Sequence, residues 1–199
     1  MISAVVLAAG SSTRMGRPKL LLPLAGKPIV QHVVDTALGA TVGEVVVVLG
    51  PDPGTVRAAL QPDGRLRFVV NERAREGQST SLRAGLDAVG PDAEAAIVLL
   101  ADQPSVSPSA LEAVLRAATG SLPPDVAAVQ ASYGGVPAHP TLFLRKVWSD
   151  VVEEGDHGAR NWIRSHPERR VVVEVGGEPP EDVNTPEDYE RVRARFEGP

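Results

Sequence analysis

Ser3-Ala4-Val5-Val6-Leu7-Ala8-Ala9-Gly10 opens the chain with a short apolar run that gives way to small residues. Comparable runs recur at 44–49 (Glu44–Leu49), Leu66–Val70 and Ala95–Leu100. The first, second and fourth are nearly continuous in Val, Ile, Leu and Ala, the pattern of strands buried on both faces in a parallel sheet. Helical patterns lie between them. Pro28–Leu38 begins with a proline suited to a first turn and stops before Gly39. Pro53–Leu60 is shorter, and Pro108–Ala118 follows the fourth run. Gln78–Val89 places Leu82, Leu86 and Val89 at helical spacing and opens with Ser and Thr residues able to cap. This alternation predicts a doubly wound α/β fold with a mostly parallel sheet.

The second half is less regular. Strands are expected over Asp125–Ser132 and Arg170–Val175, and Thr141–Trp148 reads as a strand passing into a short helix. Helices are expected over Ala159–Ser165 and Pro186–Phe196, the last capped by Asn184 or Thr185 with Glu187 and Asp188 in its first turn. No repeat or long linker divides the chain, so residues 1–199 read as one domain.

Composition limits the function. The 199 residues are 43% hydrophobic and 23% charged, as in ordinary globular proteins. No apolar run reaches the roughly 18 residues a membrane span requires, and no basic segment precedes the first run, so a cytoplasmic protein is expected. The absence of cysteine excludes disulfides and thiolate metal sites. A net charge of -5 and only 4% aromatic residues argue against nucleic-acid binding.

In an open α/β sheet, ligands bind at the carboxyl ends of strands. Leu7, Ala8, Ala9 and Gly10 occupy that position on the first strand, followed by Ser11-Ser12-Thr13-Arg14-Met15-Gly16-Arg17-Pro18-Lys19. Small residues let backbone N–H groups approach phosphate oxygens, and Arg14 and Lys19 add positive charge. The spacing matches neither the Walker A loop nor G-x-G-x-x-G. Read alone, the segment suits a surface turn equally well. Asp102, at the mouth of the fourth strand, is placed to hold magnesium beside phosphates, or simply to cap the turn before Pro104. A helix starting near Ser79 after Gly77 would direct its N-terminal dipole at an anion, or be capped in the ordinary way.

Taken together, Leu7-Ala8-Ala9-Gly10 through Arg14-Met15-Gly16 and Lys19 resemble the L-A-A-G-x-S-x-R-M-G-x-x-K signature of MobA-like nucleotidyltransferases. Ala101-Asp102-Gln103-Pro104 resembles the G-D-Q-P element of the molybdenum cofactor cytidylyltransferase branch, with Ala101 in place of Gly. Asp182-Val183-Asn184-Thr185-Pro186-Glu187-Asp188 is similar to D-I-D-T-P-E-D, with Asn184 departing from the second Asp. Asn71, Gly77 and Ser81-Leu82-Arg83-Ala84-Gly85 resemble the family's base and ribose segment. Ala138-His139-Pro140 is similar to G-H-P, and Gly155-Asp156-His157-Gly158-Ala159-Arg160 to G-D-x-G-A-R.

The resemblance implies a magnesium-dependent transfer of a nucleoside monophosphate, CMP from CTP, to the phosphate of molybdenum cofactor, releasing pyrophosphate. It implies Asp102 and Asp182 as metal ligands, with Lys19 and Arg14 joining Asp102 in catalysis. Leu7, Ala8, Ala9, Gly10, Arg14, Lys19, Asn71, Gly77, Ser81 and Ala101 would bind the nucleotide, and His139, Asp156 and Arg160 the acceptor. A molybdoenzyme or its delivery partner would receive the product. The rivals are a guanylyl, sugar-phosphate or alcohol-phosphate transferase, and a non-catalytic nucleotide-binding partner of a molybdoenzyme.

Overall fold

The computed structural model describes residues 1–10, 15–16, 18–152 and 158–198. Seven strands form one sheet: β1 (Ile2–Ala8), β2 (Val45–Leu49), β3 (Leu66–Val70), β4 (Ala95–Leu100), β5 (Ala128–Tyr133), β6 (Val136–Leu144) and β7 (Arg170–Glu174). Their order across the sheet is β3-β2-β1-β4-β6-β5-β7. β3, β2, β1 and β4 run parallel, β6 is antiparallel to both its neighbours, and β7 is parallel to β5. The helices are α1 (Ile29–Gly39), α2 (Gly54–Ala58), α3 (Gln78–Ala88), α4 (Pro108–Thr119), α5 (Trp148–Val151), α6 (Arg160–Ser165) and α7 (Pro186–Glu197).

The near-continuous apolarity of the central strands follows from their two buried faces. Ala4, Val6 and Ala8 of β1 pack with Val33 of α1, Leu111 of α4 and Val192 of α7. Val5 points the other way, toward Leu82 and Leu86 of α3, in a cluster that extends to Phe143, Trp148 and Trp162. α3 lies so close to the sheet that a Cβ on Gly85 would stand 2.5 Å from Val5 Cγ1 and 2.9 Å from Val48 Cγ2.

Three expectations require correction. α3 has no side-chain cap: Gly77, at φ 128°, precedes it, while Ser79 and Ser81 are buried. α2 covers only Gly54–Ala58, one short turn with no buried residue. β6 begins five residues before the expected strand, because Gly134-Gly135, both at positive φ, turn β5 back on itself. The prolines at 137 and 140 hid this strand. The register breaks between Gln130 and Ala131, so His139 and Pro140 fall between the paired residues Ala138 and Thr141.

Candidate active site

Chain order leaves β3 through α3 and re-enters the sheet at β4, on the far side of β1. The crevice at the carboxyl ends of β1 and β4 is therefore a topological switch point. Leu7 pairs with Leu100, and the Ala101 N–H donates to the Leu7 carbonyl at 3.1 Å. Ala101 is fully buried, and this bond carries the β1–β4 ladder up to the residue before Asp102.

Lys19 enters from a single 3₁₀ turn, Lys19–Leu21. Its Nζ donates to Asp102 Oδ2 at 2.6 Å and to Asn184 Oδ1 at 2.9 Å, with the lysine side chain 10% and the aspartate 22% exposed. Asp182 stands beside them. Its Oδ1 accepts from Gln103 Nε2 at 2.6 Å, and the Val183 N–H donates to the Asp102 carbonyl at 2.9 Å. The α7 cap fixes this stretch. The Thr185 side chain accepts from the Asp188 N–H at 3.2 Å, while the Asp188 carboxylate accepts from the N–H groups of Asn184 and Thr185. Burial alone would raise the Asp188 pKa, but those two N–H groups, with Arg191 and the Thr185 hydroxyl, hold it below the usual carboxylate range.

Lys19, Asp102, Asp182 and Asn184 line a polar cavity of about 400 Å³ with Leu7, Ala9, Gly10, Ser81 and Arg160. Two more cavities adjoin it. One, of about 460 Å³, runs from Ala8, Ala9 and Gly10 past Gly50 and Pro53 to Arg75. The other, of about 420 Å³, lies under α6 and includes His139, Gln103, Gln130 and Arg170. It shares Leu7, Gln78, Leu100, Arg160 and Asp182 with the central cavity.

The structure thus gathers Leu7, Ala9, Gly10, Lys19, Ser81, Asp102, Asp182 and Arg160 around one space, with Ala8 on the adjoining cavity and His139 on the other. Asn71 is set back from it. Its Nδ2 donates to the Thr80 and Ser81 hydroxyls, both at 2.9 Å, tying the end of β3 to the first turn of α3. Gly77 lines none of the three cavities and serves as the bend into α3. Arg14 and Asp156 lie outside the described residues.

His139 is partly buried, with Nδ1 3.4 Å from the Val98 carbonyl. Loss of solvation pulls its pKa below the ordinary histidine value, against the opposing pull of Val98, Asp182 and Asp102.

Gln103 and the lysine-holding role of Asn184 are not marked by spacing along the chain. Gln130 carried a signal that went unread: it is a lone long amide inside the apolar strand Val126-Ala127-Ala128-Val129-Gln130-Ala131.

Asp102 and Asp182 suit a hard divalent ion. Both carboxylates reach the same cavity, and one already holds a cation, the Lys19 ammonium. Among the described residues no cluster of three or more His, Cys, Asp or Glu forms a complete protein cage. Two carboxylates with phosphate and water completing the shell is the way magnesium commonly binds.

A switch-point crevice beside a β1 turn of small residues, with a buried lysine and two carboxylates, suits a phosphate-handling α/β protein. Residues 4–171 match the MobA-like NTP transferase domain, and the chain belongs to that family of nucleotidyltransferases. It is 34% identical over 203 residues to the nicotine blue oxidoreductase of Paenarthrobacter nicotinovorans, covering 96% of both chains. It is 32% identical over 200 residues to the purine catabolism protein PucB of Bacillus subtilis, covering 95% of this chain and 94% of that one. The structure of Rv0371c of Mycobacterium tuberculosis in complex with manganese superimposes with a TM-score of 0.82 at 30% identity, covering 100% of this chain and 99% of that one.

Proposed function

We propose that the protein transfers CMP from CTP to the phosphate of molybdenum cofactor and releases pyrophosphate. The observation that carries this reading is the convergence of Lys19, Asp102 and Asp182 on the Ala9-Gly10 turn at the β1–β4 crevice. Backbone N–H groups of the Leu7–Gly10 turn seat the nucleotide phosphates. Lys19 lies close enough to take up charge as it builds on the α-phosphate and departing pyrophosphate. Arg14 would add to it from the loop that follows.

The acceptor phosphate attacks the α-phosphorus in line, the bond to the pyrophosphate oxygen breaks, and no covalent enzyme intermediate forms. Catalysis on this reading consists of positioning and charge neutralisation. Asp102 and Asp182 would hold magnesium, which when bound supplies charge neutralisation to phosphate oxygens. Gln103 and the α7 cap keep Asp182 in place. A relative solved with manganese supports a divalent ion. His139, Asp156 and Arg160 would meet the acceptor, Arg160 as a cation. The Leu7-Ala8-Ala9-Gly10 turn favours CTP over GTP by its resemblance to the cytidylyl branch. The residues 1–199 would act as one unit in the cytoplasm, passing product to a molybdoenzyme or its delivery partner. Among the described residues no helix is long and apolar enough to cross a membrane.

The test is incubation with each labelled triphosphate, magnesium and molybdenum cofactor, followed by product identification. A cytosine dinucleotide product is expected. A guanine product, or transfer only to a sugar or alcohol phosphate, would replace the donor or acceptor while keeping the chemistry. Triphosphate binding without pyrophosphate release would make the protein a binding module. One relative's name raises oxidoreduction as a rival. Oxidation of a nicotinamide cofactor by the same preparation, with no pyrophosphate formed, would establish it instead.

A further inference from the structure

β7 is an edge strand, bonded to β5 on one side only. The Ala127 N–H donates to the Arg169 carbonyl at 2.8 Å, and the Val175 N–H donates to the Ser132 carbonyl at 2.9 Å. Arg169 and Val175 thus turn their backbone groups toward β5, and by the alternation of a strand so do Val171 and Val173. Arg170, Val172 and Glu174 turn theirs outward. The Arg170 N–H is spent on the Pro167 carbonyl. The N–H groups of Val172 and Glu174, and the carbonyls of Arg170, Val172 and Glu174, have no partner among the described residues. Val172 is 43% exposed at the centre of this edge. β7 has no lysine, proline or register break, devices that commonly keep such an edge from pairing.

The charges of β7 are self-complementary. Arg170-Val171-Val172-Val173-Glu174 carries a cation at one end, an anion at the other and valines between. Laid antiparallel on a copy of itself about Val172, it sets Arg170 opposite the copy's Glu174 at both ends, on one face of the sheet. Sliding the copy by two residues sets Glu174 opposite the copy's Glu168 in one direction, and Arg170 opposite the copy's Gly176 in the other. A parallel alignment sets like charges side by side. Arg170 gives Nη1 to Gln130 at 2.7 Å and keeps Nη2 for a second acceptor. The Glu174 carboxylate is fixed at its end of the strand by the N–H groups of Gly134 at 2.6 Å and Gly135 at 3.2 Å. The opposite edge of the sheet is not built this way. The Leu66 N–H of β3 is spent on the Asp63 carbonyl, the Arg57 guanidinium lies over Phe68, and Arg67 is paired with Glu44.

We propose that β7 pairs antiparallel with β7 of a second copy of this chain about a two-fold axis at Val172, joining the two sheets into one. The two Val172 N–H groups donate to each other's carbonyls, and each Glu174 N–H donates to the copy's Arg170 carbonyl. The interface is isologous and closes at two chains, because each β7 edge is then used. Five residues a side is well below the roughly 20–30 of a stable complex, so the dimer forms and dissociates with concentration. The pairing uses no group of the phosphate-facing crevice. Arg170 also lines the cavity under α6, which places that cavity beside the joint.

Sedimentation equilibrium of the full chain between about 1 μM and 1 mM tests the pairing. The mass should rise from that of a monomer toward that of a dimer and no further. Val172→Pro removes the central donor but no bond to β5, since that N–H faces away from it. It should weaken association at least about tenfold, the scale of the lost hydrogen bonds. Arg170→Glu and Glu174→Arg each set like charges opposite one another at both ends, so each variant alone should stay monomeric. Mixed together they restore opposite charges at both ends, and a fluorescently labelled Arg170→Glu chain should sediment as a heterodimer with Glu174→Arg. Cooperative thermal unfolding confirms that each variant is folded, and Val172→Pro decides if either charge variant is not. A monomer at every concentration, mass growing past that of a dimer, a Val172→Pro dimer within about twofold of wild type, or folded charge variants whose mixture does not associate would overturn the proposal.

Discussion

Replacing Lys19 with methionine separates the two roles proposed for its ammonium. The stem is retained, so packing in this nearly buried position changes little. What is lost is the positive charge 2.6 Å from Asp102 Oδ2. If Asp102 also receives a divalent ion, the ammonium competes for the same carboxylate. Two unit charges about 4 Å apart interact by about 1 kcal/mol even at the dielectric of water. The doubled charge of the ion makes this about 2 kcal/mol, or about 30-fold in affinity. Lys19→Met should therefore bind manganese about 10- to 30-fold more tightly without nucleotide, measured by isothermal titration calorimetry. The same variant should form pyrophosphate at least about 100-fold more slowly, the usual scale for losing a placed charge donor. Tighter metal with slower turnover is the signature of a cation that guards the carboxylate at rest and serves phosphate during reaction. Unchanged or weaker manganese binding, with turnover within about threefold of wild type, would refute both roles.

Asp102→Ala should reduce pyrophosphate release to background while thermal unfolding stays cooperative; normal turnover would remove Asp102 from the site. Gly85→Ala should destabilise the protein by about 1–3 kcal/mol in urea unfolding, because the new methyl overlaps Val5 and Val48 and pushes α3 off the sheet; a neutral effect would mean α3 sits farther out. Glu44 accepts from the Ser3 hydroxyl, the Gly90 N–H and Arg67. Burial opposes its ionisation, but these donors prevail and its pKa lies below the usual value. Its contribution is thus present above the unfolded-state pKa of about 4.3 and lost as pH falls through the lower folded value. Glu44→Ala should cost roughly 2–4 kcal/mol at neutral pH, from the buried Ser3 hydroxyl and the partly buried Gly90 N–H left without their acceptor, and the gap to wild type should narrow on acidification below about pH 4; a constant gap would contradict the linkage.

How much of this was readable beforehand depended on whether the information was local. The strand over Ala95–Leu100 begins and ends where its apolar run does, because burial on both faces leaves no polar residue to blur the edge. The Thr185 cap was readable because a capping box spans four residues. β6 was cut short because Pro137 and Pro140 obey strand rules only at irregularities, and the irregularity is set by β5 across the hairpin. The cap expected from the Ser and Thr residues opening α3 gave way because tertiary packing buries Ser79 and Ser81 and uses Gly77 for the bend. Lys19, Asp102 and Asp182 could each be named in advance from motif position. That Gln103 holds Asp182, that Asn184 holds Lys19, and that Gln130 faces Arg170 are contacts between residues 40 or more positions apart, 165 in the case of Lys19 and Asn184. No local spacing encodes them.

Asn184 is the departure that ties these contacts together. An aspartate there would give Lys19 a second anionic partner beside Asp102 and bring a third carboxylate to the crevice. Charge-assisted hydrogen bonds are roughly twice as strong as those to neutral acceptors. Lys19 would then be held more firmly away from phosphate, and the added negative charge would draw in a cation before any nucleotide arrived. With Asn184 the contact to Nζ is kept at 2.9 Å without the charge. Lys19, Arg160, Asp102 and Asp182 sum to zero charge in this cavity, so a divalent ion would leave the crevice net positive and ready for the phosphates of an incoming triphosphate. On the proposed transferase reading the neutral amide would favour arrival of metal and nucleotide together over capture of the metal alone, and would leave Lys19 anchored by a partner it can exchange for a phosphate oxygen.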